Sequence, residues 1–206
     1  MVMPSNHSSF VFRQWCADYP GRLGWLQSPL CWKTPEVLIP FALDNDAYTL
    51  WRKGIPFNPQ AWVDFLDKVA MTGLEPLWVA IPDVVTNRKA TLENWKPYSR
   101  IAEPYGWPLA FVVQDGMTPK DVPPNASVVF VGGSTEWKWR NLALWTTNFP
   151  RVHVGRVRTT GLHVCERLGA ESCDGSGWFS ESVSGKPARI LKAWLDNPKP
   201  QSEFAL

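Results

Sequence analysis

The chain has 206 residues, 45% of them apolar and 19% charged, which suits one globular domain with a sizeable core. A formal net charge of +2 is too small to mark a strongly basic nucleic-acid binder, and no apolar run approaches the length of a membrane span. Four cysteines without a CxxC pair, and three histidines not at ligand spacing with them, argue against a zinc site.

The stretch MVMPSNHSSF lacks the basic-then-apolar pattern of a secretory signal, so a cytoplasmic protein with reduced thiols is expected. Two weak strand candidates come first, SFVFRQW (9–15) and RLGWLQ (22–27), followed by the stronger VLIPFALD (37–44). NPQAWVDFLDKVAM reads as a helix capped by Asn58 with Pro59 at its first position. The strand candidate PLWVAIPD (76–83) precedes the helical pattern TNRKATLENWKPYSRIAEPYG, which Pro97 is expected to end or kink. PLAFVVQD (108–115) and SVVFVGG (127–133) are again strand-like, and STEWKWRNLALWTTNF reads as a helix capped by Ser134 or Thr135. RVHVGRV (151–157), the helical TTGLHVCERLGA, the strand-like segment ending in ESCDGSGW (171–178) and the helical KPARILKAWLDN complete the series.

Six to eight strand–helix repeats predict an α/β fold with a parallel sheet over a single domain, residues 1–206. A compact, closed TIM-like (β/α)8 barrel is the leading architecture, and an open doubly wound parallel sheet is the alternative.

Nearly every strong strand ends in a polar or glycine signature: Asp44, Asp83, Gln114, Gly132-Gly133, Gly155 and Asp174. One such residue is ordinarily a helix cap, but several from separate strands converge on one face of a parallel α/β fold. Asp83 and Gln114 offer donors and acceptors to the edge of a flat heterocycle, the backbone N–H groups near Gly132 and Gly133 suit a carbonyl, and Tyr48 suits a ring face. That leaves two aspartates for chemistry, one as nucleophile and one as acid/base.

FALDNDAY, IPD, VVQ, VGGST, HVGRV and GAESCDGSGW follow, in order, the motif series of the tRNA-guanine transglycosylase superfamily. Over roughly residues 37–178 the chain resembles a compact member, similar to the phage and bacterial enzymes that place 7-deazaguanine bases in DNA. The resemblance implies Asp174 as the nucleophile that attacks C1′ of the nucleotide while guanine departs, and Asp44 as the carrier of the proton to and from the base. It implies Tyr48 stacking on the base, with Asp83, Gln114, Gly132 and Gly133 reading the base edge and Val154 as the opposite apolar wall. The chemistry agrees: cleavage of an N-glycosidic bond builds positive charge on the sugar, which a carboxylate stabilises and captures, and the leaving purine needs a second, protonated carboxyl group. No cofactor or metal is expected. The partners implied are DNA, guanine and a free 7-deazaguanine of the preQ0 type.

Two departures from the family pattern matter. Asn45, Asp46 and Ala47 stand where the family has glycines, so Asp46 competes with Asp44 for the acid/base role, and the spacing to Tyr48 favours Asp44. The cysteine/histidine zinc subdomain of tRNA-acting members is not expected, because no histidine follows His163 and no cysteine follows Cys173; DNA is then favoured over tRNA. Between Val131 and Ala170 six basic residues face two acidic ones, and of these Arg156 and Arg158, with Lys138 and Arg140, are the expected phosphate contacts. The rival readings are a tRNA-guanine transglycosylase, an N-glycosidase acting on nucleosides or damaged bases, and a non-catalytic barrel that binds nucleic acid.

Overall fold

The structure, a computed structural model, describes residues 1–5, 9–179 and 185–197. Eight strands alternate with helices: β1 (Val2–Pro4), α1 (Phe10–Asp18), β2 (Trp25–Gln27), β3 (Phe41–Leu43), α2 (Ala47–Lys53), α3 (Pro59–Ala70), β4 (Val79–Ala80) and α4 (Arg88–Ala102). Then follow β5 (Leu109–Val113), β6 (Val128–Val131), α5 (Thr135–Asn148), β7 (Val152–Val154), α6 (Leu162–Arg167), β8 (Ser172–Gly175) and α7 (Lys186–Asp196). All strand pairs are parallel, in the order β1-β8-β7-β6-β5-β4-β3-β2, and the bridges Val2–Leu23 and Ser5–Leu26 join the two ends. The sheet therefore closes on itself, and the fold is a (β/α)8 barrel. It is compact because the β2–β3 and β5–β6 connections carry short 3-10 turns, Pro29–Cys31 and Pro119–Asp121, in place of a full helix.

Strand residues alternate between two cores, as the period of two in a β-strand requires. Outward residues such as Phe41, Leu43, Phe111, Val129, Val131 and Val154 pack against the helices. Inward residues form a separate cluster in which Ala42, Ala80 and Ala110 lie opposite the bulk of Trp78 and Phe130. The small residues on three neighbouring strands make room for the aromatic rings, so the barrel is filled rather than hollow.

The helix caps follow local chemistry. Asn58 accepts from the N–H groups of Gln60 and Ala61 with Pro59 at the first position, and Ser134 accepts from Trp137 N–H. Two readings near the start of the chain need correction, and the expectation for Pro97 is narrowed. Residues 9–15 are not a strand: Ser9 caps α1, and Phe12, Trp15 and Cys16 are buried at helical spacing. The first strand is instead Val2–Pro4, whose three residues carry too short a pattern to stand out. Pro97 does not end α4, which runs from Arg88 to Ala102 with Thr91, Trp95, Ser99 and Ala102 buried on either side of it. Tertiary packing of that face outweighs the lost main-chain hydrogen bond. Among the described residues no helix is long and apolar enough to cross a membrane.

Candidate active site

Parallel closure brings the carboxyl ends of all eight strands to one mouth, and the polar residues noted above sit there. Asp44 follows β3, Asp83 lies beyond β4, Gln114 follows β5, Gly132 and Gly133 follow β6, and Asp174 lies in β8. Asp174 pairs in register with Met3, a member of the inner cluster, so its side chain belongs to the barrel interior.

Asp44 senses the neighbouring carboxyl groups. Burial pushes the Asp44 carboxyl well above the usual carboxylate range, and the charges of Asp46, Asp174 and Asp83 push it further. Burial also raises Asp83, to about 6, against the opposing hydrogen bond from Asn45 and the Arg156 charge. The two residues assigned to acid/base and nucleophilic roles therefore share one mouth.

Asp174 is held on one side. Its Oδ1 accepts from the backbone N–H of Arg156 at 3.1 Å and lies 3.1 Å from His153 Nε2, while His153 Nδ1 lies 2.8 Å from Ser172 Oγ. His153 is fully buried, its ring centre 4.7 Å from that of Trp78 and 4.6 Å from that of Phe130. Oδ2 has no hydrogen-bond partner among the described residues, which leaves it as the oxygen free to meet a ligand.

A second network runs across the neighbouring strand ends. Asn45 Nδ2 donates to Asp83 Oδ1 at 3.0 Å, Gln114 Nε2 donates to Asp83 Oδ2 at 2.7 Å, and Gln114 Oε1 accepts from Thr86 N–H (2.8 Å) and Gly133 N–H (3.2 Å). Gly132 N–H donates to Val113 O at 3.1 Å. The groups expected to read a base edge thus already satisfy one another. A ligand that used them would exchange one set of hydrogen bonds for another, at small net cost where the geometry is matched.

Arg156 departs most from expectation. It takes a left-handed conformation, φ 57°, and its side chain lies across the mouth, engaged with protein groups where a phosphate contact was expected. Its guanidinium donates to Gly133 O and sits 4.1 Å from the centre of the Tyr48 ring. Lys138 is likewise no surface phosphate contact: it is 1% exposed and its Nζ donates to Gly155 O and, at 3.4 Å, to Arg156 O. Arg140 is exposed but paired with Glu136 at 2.6 Å, one helical turn away. Of the four cationic candidates only Arg158 is exposed without an ion pair among the described residues.

Val154 is not a wall of the site. It pairs with Val131 and Cys173 and belongs to the outer core, so the residue before it, His153, faces inward instead. Asp46 is also taken: its Oδ2 accepts from Leu30 N–H at 2.7 Å, which ties the β2–β3 connection to the start of α2. His153, Ser172 and Asn45 are the site residues that sequence reasoning missed. The alternation through HVGRV carries the signal for His153 once Gly155 is placed at the strand end.

Two cavities open near the starts of β1 and β8, and both reach Ser172. One of about 260 Å³ is lined by Met1, Arg22, Cys165, Glu166 and Trp194 among others, and one of about 160 Å³ by Met3, Trp78 and Ser172 among others. The mouth itself is occupied by Tyr48 and Arg156.

No protein-family model and no curated protein matches the sequence. Solved structures do match in fold. A chain of the tryptophan synthase α2β2 complex of Pyrococcus furiosus aligns with a TM-score of 0.55 at 13% identity, over 95% of this chain and 94% of that one. A native KDPGal structure aligns at 0.55 and 10% identity over 95% and 93% of the two chains. A 3-hexulose-6-phosphate synthase aligns at 0.52 and 11% identity over 95% and 97%. At such identities the likeness carries the barrel fold alone.

Proposed function

We propose that the chain is an enzyme, a guanine transglycosylase that exchanges guanine in DNA for a 7-deazaguanine base such as preQ0 or a relative. The observation that carries the reading is the meeting of Asp44 and Asp174 at one barrel mouth, with Asp44 disposed to keep its proton and one oxygen of Asp174 unengaged.

In this reading Asp174 Oδ2 attacks C1′ of the target nucleotide as the bond from C1′ to guanine N9 breaks. The electron pair of that bond leaves with the base, which takes the proton of Asp44 and departs as neutral guanine. The incoming deazaguanine then gives its N9 proton to Asp44, attacks C1′ and releases the Asp174 carboxylate. A carboxyl group raised by burial and by neighbouring carboxylates is matched to the first proton transfer, as general acids in other two-carboxylate sites are. The base would lie against Tyr48 in the place of the Arg156 guanidinium, with Asp83 and Gln114 turned from each other to its edge. Arg158 is the remaining cation for a phosphate contact. A target in a duplex would have to be flipped out, or the substrate would be single-stranded.

The test is incorporation. The protein is incubated with DNA, or separately with tRNA, together with labelled guanine or preQ0, and the label retained in polymer is measured. Retention in DNA, abolished by Asp174→Ala, is the expected result. Retention in tRNA alone would move the substrate, release of free base without retention would make the protein a hydrolase, and full exchange by Asp174→Ala would overturn the assignment of the nucleophile.

A further inference from the structure

Lys138 is a buried cation that the reaction above does not use. It lies on α5, outside the barrel wall, and its ammonium makes no ion pair with a carboxylate among the described residues. Taking an ammonium out of water is costly unless it is well compensated. Here the hydrogen bonds are main-chain: Nζ donates to the carbonyl of Gly155 and, at 3.4 Å, to that of Arg156, and it lies 5.3 Å from the centre of the Trp139 ring.

The carbonyl of Gly155 and the N–H of Arg156 belong to the same peptide unit, and that N–H is the one that donates to Asp174 Oδ1. The unit stands across the barrel wall, with its oxygen turned outward to α5 and its hydrogen turned inward to the mouth. Two local features hold it there. Arg156 adopts the left-handed conformation that reverses the chain after β7. Gly155 has no room for a side chain, since a Cβ would come within 2.5 Å of the Phe130 ring and 3.4 Å of Asp174 Oδ1.

We propose that Lys138 is a positioning residue for the Asp174 carboxylate, acting through the peptide that joins Gly155 to Arg156. A cation on the oxygen side of a peptide draws electron density from its N–H and strengthens the hydrogen bond made on the other side. Asp174 Oδ1 is thereby pinned without a lysine or arginine touching the carboxylate, and Oδ2 keeps its nucleophilic character. An arginine or lysine placed directly on Asp174 would hold it as firmly, but would also stabilise its charge and oppose attack on C1′. The role of Asp174 as nucleophile rests on the transglycosylase reading; the link from Lys138 to the Arg156 N–H does not.

The link is expected to respond to pH. Burial and the Arg156 charge lower Lys138 to about 8, against the attraction of Asp174, Cys165 and Cys173. These four residues are the charged or titratable groups that face it, from the β7–α6 connection, β8 and α6. As pH rises through that value the ammonium loses its charge and the peptide loses its polarisation.

The experiment follows the Arg156 backbone amide by NMR between pH 6 and 10 in the full chain, in wild type and in Lys138→Met and Lys138→Arg, beside the base-exchange assay on DNA. The amide proton is expected to move upfield with a midpoint near 8 in wild type. It should sit upfield at all pH values in Lys138→Met, and stay downfield without that step in Lys138→Arg. Base exchange should fall about tenfold or more in kcat for Lys138→Met, with KM for DNA unchanged and recovery in Lys138→Arg. An Arg156 amide indifferent to both pH and substitution overturns the proposal. If Lys138→Met does not fold, the wild-type titration and the upfield shift expected in Asp174→Asn decide alone. A responsive amide in a protein that exchanges no base would sink the transglycosylase reading and leave the link standing.

Discussion

The guanidinium of Arg156 rests 4.1 Å from the centre of the Tyr48 ring, joining the connection after β7 to the first turn of α2 across the barrel mouth. A partly buried cation–π contact of this kind contributes about 0.5–2 kcal/mol. A double-mutant cycle with Tyr48→Leu and Arg156→Met, read by urea unfolding, should return a coupling of that size. Methionine leaves the left-handed backbone penalty at position 156 in place, so the cycle isolates the side-chain contact. A coupling of zero would mean that the two side chains do not meet in solution.

Asp44 and Asp46 are two residues apart and should respond oppositely to amidation. Asp46 serves as an acceptor for Leu30 N–H from a left-handed position, φ 62°, and asparagine accepts equally and tolerates that conformation. Asp46→Asn should therefore keep base exchange within a few-fold of wild type. Asp44→Asn removes the transferable proton and should lower kcat by about 100- to 10,000-fold, measured in the same assay. Equal losses in both variants would count against Asp44 as the acid.

Asp83 predicts a pH effect on stability. Its carboxyl is raised in the folded protein from 3.8 to about 6, so the fold binds this proton more tightly than the unfolded chain does. The stabilisation is complete below pH 3.8 and is lost as pH rises through about 6. At about 1.4 kcal/mol per unit the contribution is at most about 3 kcal/mol, reduced by the residue's partial exposure. Carboxyl-carbon NMR of Asp83 should show a midpoint near 6, and unfolding free energies should carry a falling component between pH 4 and 7 that Asp83→Ala lacks.

Gly155→Ala should be destabilising by about 1–3 kcal/mol, because the new methyl group overlaps the Phe130 ring inside a filled barrel. Thermal or urea unfolding measures the loss. Phe130→Leu introduced alongside should recover part of it, since the neighbour that blocks the methyl group is that ring and not the main chain.

The strand-end residues Asp44, Asp83, Gln114 and Asp174 were legible because a buried strand that stops at a polar residue has its own pattern, and parallel closure does the rest. What the residues do with one another was not legible. Val154 and His153 differ by one position, and a strand's inward face cannot be fixed until its register is known. Lys138 and Arg156 read as surface cations because sequence carries no sign of a long side chain turning inward to main-chain carbonyls. The glycine pair suggested free N–H groups, but Gln114 and Val113, nineteen residues back in each case, claim them. FVFRQWC resembles a strand in composition, and only its three-and-four spacing of buried residues marks α1.

The Trp78, Phe130 and His153 rings, packed edge-on and tilted against one another beneath the mouth, have a consequence for the order of events. Among the described residues they fill the barrel interior below the mouth, which makes the mouth the doorway to Asp174. Under the transglycosylase reading, a base expelled at Asp174 would have to leave past Tyr48 and Arg156 before a replacement could come in. Two bases would queue rather than coexist, and an exchange catalysed here would run as a double displacement, with parallel lines in a two-substrate rate plot.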